Sequence, residues 1–250
     1  MPNRYFIGTS GWVYDHWRGP FYPPELPTSR WLDFFCKQFD TVELNSSFYR
    51  LPAESTWRKW AKAAPKGFVF AVKGSRFITH VKRLKDCEEP VANFTDRARL
   101  LGDALGPILW QLPPNFQRQP ETQHRLADFL AQLPQDLRHV VEFRHQSWLT
   151  SDVYALLREY NVALCAFHRA DWETPLVETT DFAYMRFHGA ATNGGSYTDD
   201  EIRQWGGRLF DLPEDVREAY IYFNNDAFGH ATTNAKALFD FLALLAPNGK

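Results

Sequence analysis

The chain has 250 residues, enough for one domain with a sizeable core, and a formal net charge of −2. That balance excludes a globally basic protein that coats nucleic acid and leaves any anion-binding surface to a local patch. No run approaches the roughly 18 apolar residues of a membrane span, Met1 to Trp12 holds no long apolar stretch, and the well-separated Cys36, Cys87 and Cys165 suit a reducing cytoplasm and lack metal-ligand spacing.

Eight short apolar runs, each ending in a polar or charged group, are the predicted strands. YFIGTS is the first; the aromatic segment SGWVYDHWRGPFYPPEL follows, then a helical stripe of Trp31, Phe34 and Phe35 that Thr28 or Ser29 could cap. TVELNS is the second, and Trp57, Trp60 and Ala61 stripe the helix after it. FVFAVK is the third. Its loop, GSRFITHVKRLKDCEEP, leads to a stripe of Phe94, Ala98, Leu101 and Leu105 that Gly106 stops. PILWQL precedes Leu126, Phe129, Leu130 and Leu133; HVVEFRH precedes Val153, Leu156, Leu157 and Tyr160. ALCAFHR is the sixth, and the short gap with Pro175 before FAYMRFH fits no long helix. The loop GAATNGGSYTDDE comes next. AYIYFNN is the last run, followed by GHATTNA and a closing stripe of Leu238, Phe239, Phe241 and Leu242. Strands alternating with helices predict an α/β fold, a single TIM-type (β/α)8 barrel over residues 1–250 with an irregular sixth βα unit.

In such a barrel the C-terminal strand ends build the active face, and alternate side chains on each strand point inward. Parity turns Tyr184, Arg186 and His188 inward on the seventh run, with Met185 and Phe187 towards the helices. It turns Val140, Glu142 and Arg144 inward on the fifth, and Glu43 and Asn45 on the second. The same logic selects Ser10, Lys73, Gln111, His168 and Asn224 from the other runs. Each has a plain structural explanation: Glu142 could pair with Arg144 or Arg186, His168 could be a satisfied core histidine, and Lys73 a buried ion-pair partner. Yet so many charged groups at one mouth exceed what barrel packing needs, because buried charge is costly unless paired or used.

The cluster leans cationic. Lys73, Arg76, Arg144 and Arg186 outweigh Glu43 and Glu142, and His80, His168 and His188 could add charge. Arginine offers a fork for phosphate or carboxylate. The loop beginning at Gly189 and the helix start near Asn234 follow the seventh and eighth strands, where many barrels bind phosphate. The predicted function is therefore an enzyme, a hydrolase or isomerase, acting on a phosphorylated or other anionic substrate. Glu142 or Glu43 would be its general base, His188 its acid, and Arg144, Arg186 and Lys73 its charge stabilisers. Trp12, Tyr14 and Tyr49, interleaved with arginines, could stack bases or sugars, so a non-catalytic nucleic-acid-binding protein is the alternative; packing of the long first loop is the plainer account of those rings. A metal-dependent hydrolase ligated through Glu43, Glu142, His168 and His188 ranks lower, since no HxH or HExxH motif occurs and Arg144 and Arg186 would oppose a dication. A glycosidase using Glu43 and Glu142 ranks lower still. No metal, cofactor or membrane contact is predicted, and oligomeric state is not readable.

The segments IGTSGWVYDHWRGPFYP, FDTVELNSSFYRLP, FVFAVKGSRFITH, LWQLPPNF, VEFRHQSW, AYMRFHG and YIYFNNDAFGHATTNA resemble the YecE-like family, domain of unknown function 72. They match in order over nearly the whole chain. The resemblance implies a single TIM-type barrel, distantly similar to the endonuclease-IV and xylose-isomerase barrels, and implies no reaction. Those metal-dependent relatives use a dense set of His, Asp and Glu ligands. This chain has too few at its strand ends, which argues against metal-dependent phosphodiester cleavage. His168 lies outside the matching segments.

Overall fold

A computed structural model describes residue 2 and residues 4–245. Strands β1 (Arg4–Ser10), β2 (Thr41–Leu44), β3 (Val69–Lys73), β4 (Leu105–Gln111), β5 (His139–Glu142), β6 (Val162–Arg169), β8 (Phe182–Phe187) and β9 (Glu218–Phe223) form a closed parallel barrel. The hydrogen-bonded order is β5-β4-β3-β2-β1-β9-β8-β6, and β5 also pairs with β6. A short strand β7 (Trp172–Glu173) folds back antiparallel on β6. Helices α1 (Trp31–Phe35), α2 (Ser46–Tyr49), α3 (Glu54–Ala63), α4 (Glu88–Ala98), α5 (Pro120–Ala131), α6 (Ser151–Glu159), α7 (Asp199–Phe210) and α8 (His230–Leu245) fill the connections. Among the described residues no helix is long and apolar enough to cross a membrane.

Chain contacts divide the protein into two compact units. Unit one comprises Met1–Val42, Ala166–Thr174 and Asp181–Lys250; unit two comprises Glu43–Cys165 and Pro175–Thr180.

In unit one, aromatic residues at alternate strand positions stack across β1, β8 and β9. Phe6 lies 4.7 Å from Tyr220, Tyr184 lies 5.3 Å from Tyr222, and Thr41 Oγ1 is 2.7 Å from the Tyr222 hydroxyl. On the opposite parity Phe187 meets Trp205 of α7 at 5.2 Å, so the helix-facing side predicted for Phe187 is correct. The first loop packs on α1. Trp17 and Tyr22 are fully buried, and Tyr22 stacks on the buried Trp31 at 4.4 Å. These rings pin the loop to the helix, a gain of about 1.5–3 kcal/mol for each large apolar side chain buried. Gly8 is required by close approach: a Cβ there would stand 2.2 Å from the Thr41 carbonyl oxygen.

In unit two the core runs through Trp57, Phe94, Trp110 and Phe129, with Trp110 5.5 Å from Phe94 and 5.3 Å from Phe129. Buried His139 accepts from Trp110 Nε1 (3.2 Å) and its Nε2 lies 3.0 Å from the Pro134 carbonyl. Those partners set the tautomer, with Nδ1 accepting and Nε2 donating.

The sixth connection holds no helix between β6 and β8, as Pro175 and the short spacing require. Threonine side chains replace it. In unit one Thr174 Oγ1 accepts from the Phe167 N–H at 2.7 Å. In unit two Thr179 Oγ1 accepts from the Leu164 N–H at 2.8 Å and donates to the Val162 carbonyl at 2.7 Å. Two boundaries differ from the sequence pattern. The stripe after α4 ends earlier, at Gly102 (φ 57°), and Leu105 and Gly106 already belong to β4. Helix α7 carries no stripe in the pattern read above; its start is marked by the Thr198–Glu201 capping box, in which Thr198 N–H donates to Glu201 Oε2 at 2.8 Å.

Candidate functional site

Unit two brings several predicted residues together at its strand ends. Glu43, on β2, is fully buried. Asn45, which follows β2, has a buried Oδ1 with no hydrogen-bond partner among the described residues. Ser47 donates to the Lys73 carbonyl at 2.7 Å, which ties α2 to the end of β3. The Lys73 ammonium then sits 4.3 Å from the Phe48 ring centre, and His80 packs edge-on against the same ring at 5.1 Å. The His80 pKa falls to about 4; burial is the main cause, and the charges of Lys73, Arg76 and Arg83 push the same way. Arg76 is exposed, and Gln111 ends β4 partly buried.

The fifth strand carries the tightest charged pair. Glu142 is ion-paired with Arg144; the Glu142 side chain has no exposed surface and the Arg144 side chain retains 13%. Cys165 Sγ lies 3.6 Å from Glu142 Oε2. Phe143, between the pair in sequence, points the other way and stacks on Trp148 at 5.1 Å. Of the two partners sequence allowed for Glu142, Arg144 makes this contact.

Unit one arranges a second group. Arg186 is only 1% exposed. Its Nη1 lies 3.5 Å from His188 Nε2, and His188 Nδ1 is 3.0 Å from the Asn224 amide. The Asn224 Nδ2 group donates to His188 Nδ1, which places the proton of the neutral imidazole on Nε2. Two of the rim residues interact through backbone oxygens: the Tyr14 hydroxyl donates to the Ser10 carbonyl at 2.5 Å and the Tyr22 hydroxyl to the Trp12 carbonyl at 2.6 Å.

Three predicted residues have structural partners in unit one. His168 Nδ1 is 2.8 Å from the Tyr197 hydroxyl, and the ring packs on Trp205 at 5.5 Å. Parity aimed it inward; it shares the helix-side ring cluster of Phe187 instead, next to the hairpin where β6 turns into β7. Burial lowers its pKa. Asn234 is a hub: its Oδ1 accepts from the Tyr197 N–H (3.1 Å) and Asn225 Nδ2 (2.9 Å), and its Nδ2 donates to the Tyr197 carbonyl (3.0 Å). Gly189 N–H donates to the Tyr197 hydroxyl at 3.1 Å. Tyr197 and Asn225, which parity reasoning passed over, therefore organise the loop after β8. The signal for Asn225 was the doubled asparagine ending YIYFNN; Tyr197 had only its place beside the glycines.

Among the described residues no group of three His, Cys, Asp or Glu could hold a metal ion. Glu43, Glu142, His168 and His188 thus form no ligand set.

The family model described as "Protein of unknown function DUF72" matches residues 6–248. The chain is 26% identical over 269 residues to UPF0759 protein YunF of Bacillus subtilis (strain 168), covering 95% of this chain and 94% of that protein. It is 31% identical over 114 residues to UPF0759 protein YecE of Escherichia coli (strain K12), 46% of this chain and 41% of that one. The crystal structure of a DUF72 family protein from Thermotoga maritima MSB8 superposes with a TM-score of 0.86 at 29% identity, covering 98% of this chain and 100% of that chain.

Proposed function

Since the chain belongs to the DUF72 family, proteins of unknown function that share its barrel, we propose that it is an enzyme acting on a phosphorylated or otherwise anionic substrate at the C-terminal ends of its barrel strands. The observation that carries this reading is the Glu142–Arg144 ion pair of unit two, a carboxylate without exposed surface held by an arginine whose side chain keeps 13%. A buried pair of this kind is weak as a stabilising device. A carboxylate set beside a guanidinium can take a proton while the guanidinium steadies negative charge. In this reading Glu142 or Glu43 is the general base, and Arg144 and Lys73 stabilise charge. Unit one supplies its own candidates, Arg186 and Asn224 for an anion and His188 for proton transfer.

A thermal-shift series with inorganic phosphate, phosphate esters and nucleotides tests the substrate class. An anion-dependent rise in Tm is expected; no shift with any of them, and no ordered anion in soaked crystals, would sink the reading. Glu142→Gln then separates catalysis from plain binding. It should abolish turnover by an enzyme, whereas a protein that only holds polyanions would show no turnover as wild type and would bind as well or better as the variant.

A further inference from the structure

Unit two contains a cavity of about 600 Å³ between the loops that follow β2 and β3 and helix α4. Its size falls within the range of small-molecule sites, about 300–1,000 Å³. Ile78 and Phe94, both buried, lie at its base. Its rim is unusual in exposing apolar side chains: Tyr49 is 79% exposed, Phe77 51% and Leu51 37%.

Local backbone explains that exposure. Residues Phe77–Val81 form one turn of π-helix, a feature that is rare and concentrated at functional sites. Phe77 and Val81 stand out to solvent while Ile78 and Thr79 are buried. The chain then passes through Arg83 (φ 52°), Leu84 (φ 63°) and Asp86 (φ 50°), a run of left-handed non-glycine residues. Such conformations cost of order 1–3 kcal/mol each and persist only where the surroundings hold them. Here burial of the Leu84 side chain and hydrogen bonds from Leu84 N–H to the Ile78 carbonyl (3.2 Å) and from Lys85 N–H to the Lys82 carbonyl (3.1 Å) hold them.

Charge selects the ligand. The lining carries Arg50 and Lys82 against Asp86 and Glu89, and the segment Lys73–Lys85 flanking it tips the surroundings basic with Lys73, Arg76, Arg83 and Lys85 and no acidic residue. The Lys82 ammonium lies 5.9 Å from the Phe77 ring centre. We propose that this cavity binds a small aromatic anion, its ring against Tyr49 and Phe77 and its charge on Lys82 and Arg50. The site adjoins the Lys73–Phe48 pair, but Glu43, Glu142 and His188 are not in its lining, so its ligand binding is tested apart from the enzymatic reading above.

Calorimetric titration of the full chain with phenyl phosphate, inorganic phosphate and benzylamine tests it. Phenyl phosphate should bind about tenfold more tightly than either of the others, and Phe77→Ser or Lys82→Gln should each weaken it about tenfold. Should Phe77→Ser fold poorly, as thermal melts would reveal, Tyr49→Ser at the more exposed ring gives the same reading. Equal affinity for phenyl and inorganic phosphate, tighter binding of benzylamine, or indifference of phenyl phosphate to both ring substitutions would overturn the proposal.

Discussion

Glu142 and Arg144 stand two residues apart at the end of β5, point to the same side and form an ion pair, while Phe143 between them turns to Trp148. The pleat of an extended chain is what brings them together. Leaving a buried carboxylate without its cation is far worse than removing both charges. Arg144→Met should therefore destabilise the fold by about 3–5 kcal/mol, with much of that loss recovered in the Glu142→Gln/Arg144→Met double variant. Urea unfolding of the four proteins in the cycle measures the coupling; simple additivity would contradict it.

Stability should fall on acidification through a window set by His139. Burial lowers its folded-state pKa from 6.5 to about 4. A folded-state pKa below the unfolded one means that the unfolded chain binds the extra proton first. The contribution is therefore complete above pH 6.5 and is lost as pH falls towards 4. For a residue 2% exposed it amounts to about 3 kcal/mol. The slope of unfolding free energy against pH over this window should be shallower in His139→Gln than in wild type. His80 titrates in the same direction, with a smaller share because it is partly exposed to solvent.

Asn234 holds the loop after β8 by its contacts to Tyr197 and Asn225. Asn234→Leu leaves the Tyr197 N–H and carbonyl without these partners, at a cost of about 1–3 kcal/mol. Hydrogen exchange should show the Tyr197 amide losing protection, by more than the strand amides of β8. Unchanged protection would mean that the loop is held by other contacts.

Two glycines should respond to alanine with opposite signs. Gly189 has φ 116°, and a Cβ would meet the Gly195 carbonyl oxygen at 3.3 Å, so Gly189→Ala should destabilise by about 1–3 kcal/mol. Gly207 lies inside α7 with open space around a Cβ, so Gly207→Ala should stabilise by about 0.5–1 kcal/mol. Thermal unfolding of the two single variants decides both signs.

The periodicity of eight apolar runs was enough to read the barrel, because a strand buried on both faces must be apolar along most of its length and must end in polar residues where it meets the loops. Pro175 and a short gap were likewise enough to deny the sixth unit its helix, since neither leaves room for one. Helix α7 is marked in the sequence by the Thr198–Glu201 cap alone, because Gly206 and Gly207 interrupt its apolar stripe.

Residue spacing along one strand also determined which neighbours could share a face: Glu142 with Arg144, and Arg186 with His188. It could not determine which charged partner each would take, or that the first-loop rings Trp17 and Tyr22 would be spent on packing. Those outcomes depend on groups distant in sequence. His168 shows the limit most plainly: parity aimed it inward, but Tyr197 and Trp205, 29 and 37 positions further along the chain, fold against its ring on the helix side. A two-residue period locates a side chain relative to its own strand. Which elements pack against that strand is decided only when the whole chain has closed.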